Sequence, residues 1–414
     1  MRKLALVITL ILIFTIPWET AITIEAVGTL TRLIGLCAAG VWLISVLVQG
    51  RLRNFRLYHV VVLFFMFYNV ASIFWTSHYD LTLERVLTFT QLAILTWILW
   101  DLFNTPESLR AAMQAFIFGG YVAVASAVFN FISGQIISTY EIGRYTGADQ
   151  NAVEFAMILS ISLPFAWHLT SSQKEGSGSN FLRLINFAYI PAALFAIILT
   201  ASRTSLVTII PGLLYIVGTM SRIKFIYRFL VFVVLVSAVF IGQFYVPQAT
   251  LDRLGTIGVS IASNDFGGRV VLWDESIQVF LGHPLLGIGS GSLAAPDQMG
   301  TVAHNSFLSI LAELGILGFI QFLVILVIVL YQALKQPKPY SILWLTVFAI
   351  WLIGILSLTW EYAKPTWFIL NIIMISAGIY SRRDKLVEES TISNNSISGP
   401  DAYSNKPKAA GANV

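Results

Sequence analysis

Residues 282–331 read GHPLLGIGSGSLAAPDQMGTVAHNSFLSILAELGILGFIQFLVILVIVLY, and this stretch decides the fold class. A glycine-rich polar segment ends at His304, and a continuous apolar run follows from about 305 to 331. A run of this length crosses the hydrocarbon core of a bilayer as an α-helix. Polar groups gathered at one end of such a helix are candidates for a functional site.

The composition of the whole chain extends this interpretation. Apolar residues make up 57% of the 414 residues, charged residues make up 11%, and the mean hydropathy is +0.79. A soluble domain carries about 25% charged residues. The apolar runs are continuous, whereas the strands of a membrane β-barrel alternate between apolar and polar residues. The sequence therefore predicts an all-α polytopic membrane protein.

We count about twelve transmembrane spans in the sequence. They lie at about 4–17, 27–48, 59–75, 84–102, 111–132, 152–168, 184–200, 205–220, 225–246, 305–331, 341–358 and 364–380. The only cysteine, Cys37, falls in the second span, so the chain has no internal disulfide, and we expect a buried, inert thiol.

The placement of Lys and Arg residues predicts the orientation, because cytoplasmic loops of membrane proteins are enriched in them. Of the 25 Lys and Arg residues, 18 fall on the side that holds both termini and 7 on the other. Both termini are therefore predicted to be cytoplasmic, and the longest loop, about 247–304, to face outside. The pI of about 9.1 follows from this topology and gives no reason to propose nucleic acid as a partner.

The chain divides into two parts by composition. Residues 1–385 are predicted to form one transmembrane domain. Residues 386–414 are rich in Ser, Asn, Gly and Lys and poor in apolar groups, which predicts a disordered cytoplasmic tail.

Arg203 is a first candidate for the site, because it lies on the outer side in LTASRTSL (199–206). One interpretation is an arginine that reaches lipid headgroups or caps a helix end. The other is a guanidinium that binds an anion, and phosphate is favoured because its oxygens match the bidentate fork. Arg144, which precedes the sixth span on the same side, could contribute to a binding cavity there.

Arg269 is a second candidate, and it opens the segment GGRVVLWDESIQVFLGHP (267–284). The spacing predicts an amphipathic helix from about 268 to 281, in which Arg269 shares the apolar face with Trp273. Asp274 and Glu275 lie on the other face, so Arg269 points away from them. The alternative is an interfacial helix whose arginine contacts lipid headgroups.

The loop that follows carries two further features. Three glycines in GIGSG (287–291) could bring backbone N–H groups close to a phosphate, or they could belong to a flexible loop with several turns. His304 could titrate near neutrality at the mouth of a span, or it could be structural. The spacing places Glu313 about half a turn from His304, so we expect Glu313 to have another partner.

Several functional classes lack their usual residues. The sequence has no nucleotide-binding loop, no HExxH motif, no set of His and Cys ligands and no outer Asp-x-Asp pair, so no metal or cofactor is predicted. Trp360, Glu361 and Lys364 form an outer cluster that is typical of an interfacial belt.

The order of these motifs resembles the O-antigen ligase and O-antigen polymerase superfamily of bacterial envelope proteins. The resemblance spans most of residues 60–380. Its motifs are Gly147…Asn151…Phe155-Ala156, Thr200-Ala201-Ser202-Arg203, Gly268-Arg269…Trp273, Gly282-His283-Pro284-Leu285-Leu286-Gly287-Ile288-Gly289, Ala303-His304-Asn305-Ser306-Phe307 and Glu313-Leu314-Gly315. The family has about twelve spans, in a fold like that of the GT-C glycosyltransferases, with a large outer loop between the ninth and tenth.

The resemblance implies that a glycan moves from undecaprenyl pyrophosphate to a glycan or lipid acceptor outside the bacterial cytoplasmic membrane. It implies that Arg203 and Arg269 contact the pyrophosphate and that His304 lies at the reaction centre. Ser202, Gly289, Asn305 and Arg144 are assigned with the two arginines to substrate binding.

Alternatives remain at this point. The shared motifs do not separate a ligase from a repeat-unit polymerase, although the His-Asn motif and the long loop favour a ligase. A transporter or flippase of a lipid-linked glycan could use the same arginines, but the sequence shows neither paired repeats nor broken helices near the midplane. A non-catalytic scaffold would leave the outward arginines unexplained.

Overall fold

The computed structural model describes residues 1–25, 28–135, 144–171, 180–222 and 268–397, with a few single positions between 225 and 255. Beyond residue 381 it describes the backbone only. The predicted ninth span and the first half of the predicted outer loop thus lie largely outside the described residues.

The described residues are almost entirely helical. The helices are α1 (Arg2–Thr15), α2 (Leu30–Gln49), α3 (Leu57–Ala71), α4 (Tyr79–Leu102), α5 (Pro106–Ser133), α6 (Ala152–Ser171), α7 (Asn180–Leu199), α8 (Arg203–Thr219), α9 (Arg269–Gly282), α10 (Ser306–Lys335), α11 (Tyr340–Ile355) and α12 (Lys364–Ile397). Short 3-10 turns cover Ile16–Ala21, Ser72–Phe74, Met220–Arg222 and Ser292–Ala294. The two short strands, β1 (Thr23–Ile24) and β2 (Gly28–Thr29), pair antiparallel.

These helices confirm the predicted all-α polytopic membrane fold. In the described part of the chain, eight helical segments are long and apolar enough to cross a membrane, and α8 and α11 are shorter apolar helices. Every predicted span except the ninth coincides with a helix. The amphipathic helix predicted at about 268–281 is confirmed as α9, which begins at Arg269 and ends at Gly282.

One smaller prediction stays untested and another needs correction. Helix α12 extends to Ile397, past the predicted start of the tail at residue 386, and residues 398–414 lie outside the described residues, so the disordered tail stays a prediction. Cys37 was predicted to be buried, but it is exposed on the side of α2 that faces away from the bundle. Helix α2 packs against the bundle through one narrow side and leaves most of its surface uncovered.

Helix α6 forms the centre of the bundle. Nearly all of its side chains are buried, because α5, α7, α8 and α11 pack around it. Aromatic side chains fill the space beside it: the rings of Phe116 and Phe368 stack at 5.0 Å, and Phe165 meets Phe116 edge to face. Because α6 is fixed on several sides, the loop that leads into it is held in place as well.

The buried Asp101, near the C-terminal end of α4, fixes the end of the bundle at which α1 begins. Its carboxylate lies 2.7 Å from the Arg2 guanidinium and accepts from Trp42 Nε1 at 3.0 Å and from the Arg53 N–H at 2.9 Å. A buried carboxylate is stable only when it is paired and hydrogen-bonded in this way. Asp101 therefore ties the N-terminus and the α2–α3 connection to α4.

Helix α10 is interrupted at Gly315, whose φ of 62° and ψ of −168° are not helical. The break leaves carbonyls without their helical donors, and the segment 284–289 supplies new ones. Ile288 N–H donates to the Ala312 carbonyl at 3.1 Å and Gly289 N–H to the Glu313 carbonyl at 2.9 Å. In return the Pro284 carbonyl accepts from Ile316 N–H at 2.9 Å. The loop is thus hydrogen-bonded into the helix at the position where the helix is broken.

We predict that Gly315→Ala destabilises the protein. A Cβ at this residue would lie 2.3 Å from the Leu285 carbonyl oxygen, and the backbone conformation, with φ 62° and ψ −168°, is one that essentially only glycine adopts and costs another residue on the order of 1–3 kcal/mol. The measurement is the thermal unfolding midpoint of the detergent-solubilised protein. Gly40→Ala is the matched control, because Gly40 lies within α2 and a Cβ there meets nothing within 4 Å. Equal midpoints for the two variants would contradict the packing described here.

Candidate functional site

The predicted site residues lie at the end of the bundle where α8 and α10 begin, which we call the site face. Here the connection before α6 meets the α7–α8 turn, because Tyr145 N–H donates to the Leu199 carbonyl at 2.9 Å. The start of α10 is held to the α11–α12 connection, since Ser306 Oγ donates to the Leu358 carbonyl at 2.9 Å. These bonds bring segments distant in sequence to one surface.

Arg203 is the first residue of α8, and a tight turn presents it. Ala201 has a left-handed φ of 47°, and Ser202 caps the helix by accepting from Ser205 N–H at 3.4 Å. The side chain of Ser202 is needed for this cap, and the residue is only 3% exposed. The structure therefore gives Ser202 a capping role, and its contact with substrate stays a prediction.

Arg269 is the first residue of α9 and contacts the start of α8. Its Nη1 lies 3.5 Å from Thr204 Oγ1, and Thr204 directly follows Arg203. Among the described residues, Arg269 forms no ion pair with a carboxylate. Burial lowers the pKa of Arg269, and the nearby charge of Arg144 lowers it further. Arg144 and Arg269 are therefore close enough to repel each other.

His304 lies beside the same guanidinium. Burial lowers the pKa of His304, and the charge of Arg269 adds to this effect. The structure thus brings Arg144, Arg203, Arg269 and His304 to one region of the site face, and we call these four residues the arginine–histidine cluster. Each is half-buried, so the group is partly shielded from water yet reachable.

Asn305 was predicted to bind substrate, and in the structure its side chain caps α10. Its Oδ1 accepts from Phe307 N–H at 3.0 Å and Leu308 N–H at 3.2 Å. Its Nδ2 donates to the Leu356 carbonyl at 3.4 Å. Asn305 therefore helps to hold the backbone next to His304, and its contact with substrate stays a prediction.

Gly289 was also predicted to bind substrate, through its backbone N–H. That N–H already donates to the Glu313 carbonyl, and Gly291 N–H donates to Glu313 Oε2 at 2.8 Å. A Cβ on Gly289 would lie 2.3 Å from Thr76 Oγ1, so the glycine is required by close packing. These contacts argue against a phosphate-binding role for this loop, and they give Glu313 the different partner expected for it.

Backbone strain gathers around the cluster. In the described part of the chain, the non-glycine residues with positive φ are Ala148, Asp149, Ala201 and His304, and all lie in turns of the site face. Such conformations cost of order 1–3 kcal/mol each and persist where the surroundings impose them, often at functional sites. The surroundings therefore hold His304 (φ 48°) in a strained conformation of the kind that is common at functional sites.

A buried charge network behind the cluster was missed in the sequence. Arg85 on α4 stacks on the Tyr362 ring at 3.4 Å, and its Nη1 lies 3.8 Å from Glu361 Oε1. Glu361 is 3% exposed and Glu313 is 5% exposed. The predicted interfacial belt at Trp360 and Glu361 is therefore wrong, because both residues are buried. The sequence offered one sign of this network, which is Arg85, an arginine on the sparsely charged side of the membrane.

One carboxyl group of this network has a raised pKa. Burial raises the pKa of Glu361 to about 7, the neighbouring Glu313 adds to the rise, and Arg85 opposes it. Ser309 Oγ donates to Glu361 Oε1 at 2.9 Å and links the network to α10. The network therefore joins α4, α10 and the α11–α12 connection.

We predict that Arg85→Gln lowers the thermal unfolding midpoint, and more at pH 8 than at pH 6. A carboxyl whose pKa is raised in the folded state loses stability as pH rises, and without Arg85 the ionised form has no buried cation. Breaking a buried pair costs on the order of 3 kcal/mol. Arg110→Gln is the control, because Arg110 is exposed on α5 at the other end of the bundle. A pH-independent loss in Arg85→Gln would contradict the network.

Comparison with known proteins finds a family match that includes three of the four residues of the cluster. Residues 188–323 match the family model described as O-antigen ligase, which corresponds to 136 of the 414 residues. This range contains Arg203, Arg269 and His304 but not Arg144. The match confirms the resemblance to the O-antigen ligase and polymerase superfamily that the sequence motifs indicated. No curated protein matches the chain.

Proposed function

From the likeness of residues 188–323 to O-antigen ligases, we propose that this membrane protein is a glycosyltransferase of the ligase type. It transfers a glycan from undecaprenyl pyrophosphate to an acceptor hydroxyl at the outer face of the bacterial cytoplasmic membrane. The site face is the outer face, both termini are cytoplasmic, and the reaction needs no metal ion.

The observation that carries this proposal is the half-buried Arg269. It lies next to the charge of Arg144, contacts the residue after Arg203, and forms no ion pair with a carboxylate among the described residues. An anion beside Arg269 would offset the cost of removing this guanidinium from water. A diphosphate matches several guanidinium groups at once through bidentate hydrogen bonds.

In the proposed reaction, the acceptor oxygen attacks the anomeric carbon of the first sugar. The bond between that carbon and the phosphate oxygen breaks, and undecaprenyl pyrophosphate leaves with the bonding electrons. Negative charge therefore grows on the leaving oxygen, where fixed guanidinium groups stabilise the transition state more than the ground state. In the described residues, no group of three or more His, Cys, Asp or Glu side chains is placed to hold a metal ion that would share this role.

His304 is the proposed acceptor of the proton that the attacking hydroxyl loses. Burial and Arg269 both lower the pKa of His304, which favours the neutral imidazole that is able to take a proton. Removal of such a base typically lowers the rate by about 10²–10⁴-fold. The cap by Asn305 and the left-handed backbone at His304 hold the imidazole at the edge of the cluster.

We predict that Arg203→Ala and Arg269→Ala each reduce transfer by about 10²–10³-fold, because each removes a donor that faces the leaving group. The assay uses purified protein, a glycan on undecaprenyl pyrophosphate and candidate acceptors, in chelator and without ATP. Arg110→Ala, an exposed arginine away from the site face, is the control. Full activity in both variants would contradict anion binding by these arginines. An absolute need for Mg²⁺ would contradict the proposal that the reaction needs no metal ion.

Product analysis in the same assay separates the two branches of the superfamily. Movement of the whole glycan to a new lipid or other acceptor indicates a ligase. Longer chains that remain on undecaprenyl pyrophosphate indicate a polymerase and would replace the ligase assignment.

We predict that the pH profile of transfer falls on the acid side at a pH below 6.5. The imidazole of His304 must be unprotonated to act, and its pKa is lowered from the ordinary value of 6.5, so activity is lost only as pH falls below it. His304→Gln should lose this acid limb together with most of the rate. His283→Gln is the control, since His283 is an exposed histidine at the end of α9. An unchanged rate in His304→Gln would exclude the base role.

A further inference from the structure

The turn of residues 146–150, which leads into α6, projects a single side chain from the site face. Thr146, Ala148 and Gln150 in this turn are each at most 6% exposed. Asp149 lies between two of these buried residues, yet it is exposed. The turn is therefore covered by protein on most sides and presents one carboxylate to the outside.

The backbone of this turn is strained at two successive positions. Ala148 has a φ of 58° and Asp149 has a φ of 51°, and both values lie in the left-handed region. Aspartate adopts this conformation several times more often than most residues with a side chain, whereas alanine rarely does. Such residues persist only where the surrounding structure imposes the conformation, and they cluster at functional sites.

Helix α5 imposes this conformation on the turn. Asn130 Nδ2 donates to the Thr146 carbonyl at 2.7 Å, and Ala148 N–H donates to Ser126 Oγ at 3.0 Å. A Cβ on Gly147 would lie 2.4 Å from a backbone oxygen of α5, so the turn also packs closely against that helix. The exposed carboxylate is therefore held on a rigid support.

The turn lies next to the arginine–histidine cluster. Arg144 belongs to the cluster and precedes Asp149 by five residues. Between them, Tyr145 N–H donates to the Leu199 carbonyl at 2.9 Å, and Leu199 lies four positions before Arg203. This bond holds the connection against the turn that presents Arg203. The group attached to a phosphate at Arg144 would therefore lie beside the exposed carboxylate.

In the described part of the chain, the Asp149 carboxylate takes part in no hydrogen bond or ion pair. A carboxylate has two acceptor oxygens, so it can accept from two neighbouring hydroxyl groups of a sugar at once. Such bonds are charge-assisted and are stronger than those between neutral groups. A carboxylate repels a phosphate, so Asp149 suits the sugar next to the diphosphate and not the diphosphate itself.

We propose that Asp149 is a specificity-determining residue whose carboxylate accepts hydrogen bonds from the first sugar of the donor, the one attached to the diphosphate. The assignment of this ligand rests on the proposed transfer function. In this role Asp149 binds a hydroxyl-bearing ring and moves no proton, so its loss weakens donor binding more than the chemical step.

The test measures lipid binding to the purified full-length protein by native mass spectrometry. The two probes are undecaprenyl pyrophosphate with a glycan and undecaprenyl pyrophosphate without a sugar. Asp149→Gly removes the carboxylate, and glycine adopts the left-handed conformation readily. Asp149→Asn keeps one acceptor oxygen in the same conformation. Ala148→Gly is the matched control, because it relaxes the neighbouring strained residue and keeps the carboxylate.

We expect Asp149→Gly to weaken binding of the glycan-bearing lipid about 10–100-fold, the effect of a lost hydrogen bond to a charged group, and to leave the sugar-free lipid unchanged. Asp149→Asn should lose less, and Ala148→Gly should bind both lipids like the wild type. Unchanged binding of the glycan-bearing lipid by Asp149→Gly would overturn the proposal. An equal change for both lipids would also overturn it, because it would show a charge effect on the diphosphate.

The thermal unfolding midpoint checks that the turn remains intact. We expect both glycine variants to keep the midpoint of the wild type, because glycine relieves the strain at either position. If Asp149→Gly lowers the midpoint, binding by Asp149→Asn decides the question. A loss of glycan-bearing lipid in Ala148→Gly as well would show that the shape of the turn matters and not the carboxylate, which would overturn the proposal.

A transfer assay with the same donor separates this proposal from the proposed function. Weaker binding by Asp149→Gly, in a protein whose wild type fails to transfer the glycan, would leave the sugar contact standing and remove the transferase. Transfer by the wild type with an unchanged donor KM in Asp149→Gly would overturn the sugar contact and leave the transferase standing. A raised KM for the acceptor alone would overturn the assignment to the donor.

Discussion

The break of α10 at Gly315 is the constraint on which the site face depends. Within a membrane, backbone groups without helical partners must be satisfied by the protein itself, since no water is available. Residues 284–289 meet this need through bonds to Ala312, Glu313 and Ile316. Because the same segment follows α9 and precedes the start of α10, this joint fixes where both Arg269 and His304 are held.

Two electrostatic environments lie at this face. The arginine–histidine cluster is half-buried and holds three arginines. The network of Arg85, Glu313 and Glu361 is enclosed and brings one cation together with two carboxyl groups. In this network the Arg85 guanidinium and the Glu361 carboxyl group lie beside each other inside the protein, 3.8 Å apart.

Much of the fold could be predicted from the sequence because long apolar runs have few alternatives in a membrane. The amphipathic period around Arg269 likewise predicted α9 with nearly its observed bounds. The roles of Ser202, Gly289 and Asn305 could not be predicted, because a short polar residue near a helix start looks the same whether it caps the helix or binds a ligand. Only the hydrogen bonds to Ser205, Glu313 and Phe307 separate these roles.

The network around Arg85 escaped prediction for a related reason. Its members come from α4, α10 and the α11–α12 connection, and their sequence spacing carries no sign that they meet. A carboxylate near the end of a span, such as Glu361, is predicted at the lipid interface unless the fold is known to cover it. The interruption at Gly315 has one more consequence. Residues 284–289 are bonded to α10 on both sides of this glycine, to the Glu313 carbonyl before it and to the Ile316 N–H after it, so any displacement of that segment would break hydrogen bonds to both parts of the helix at once.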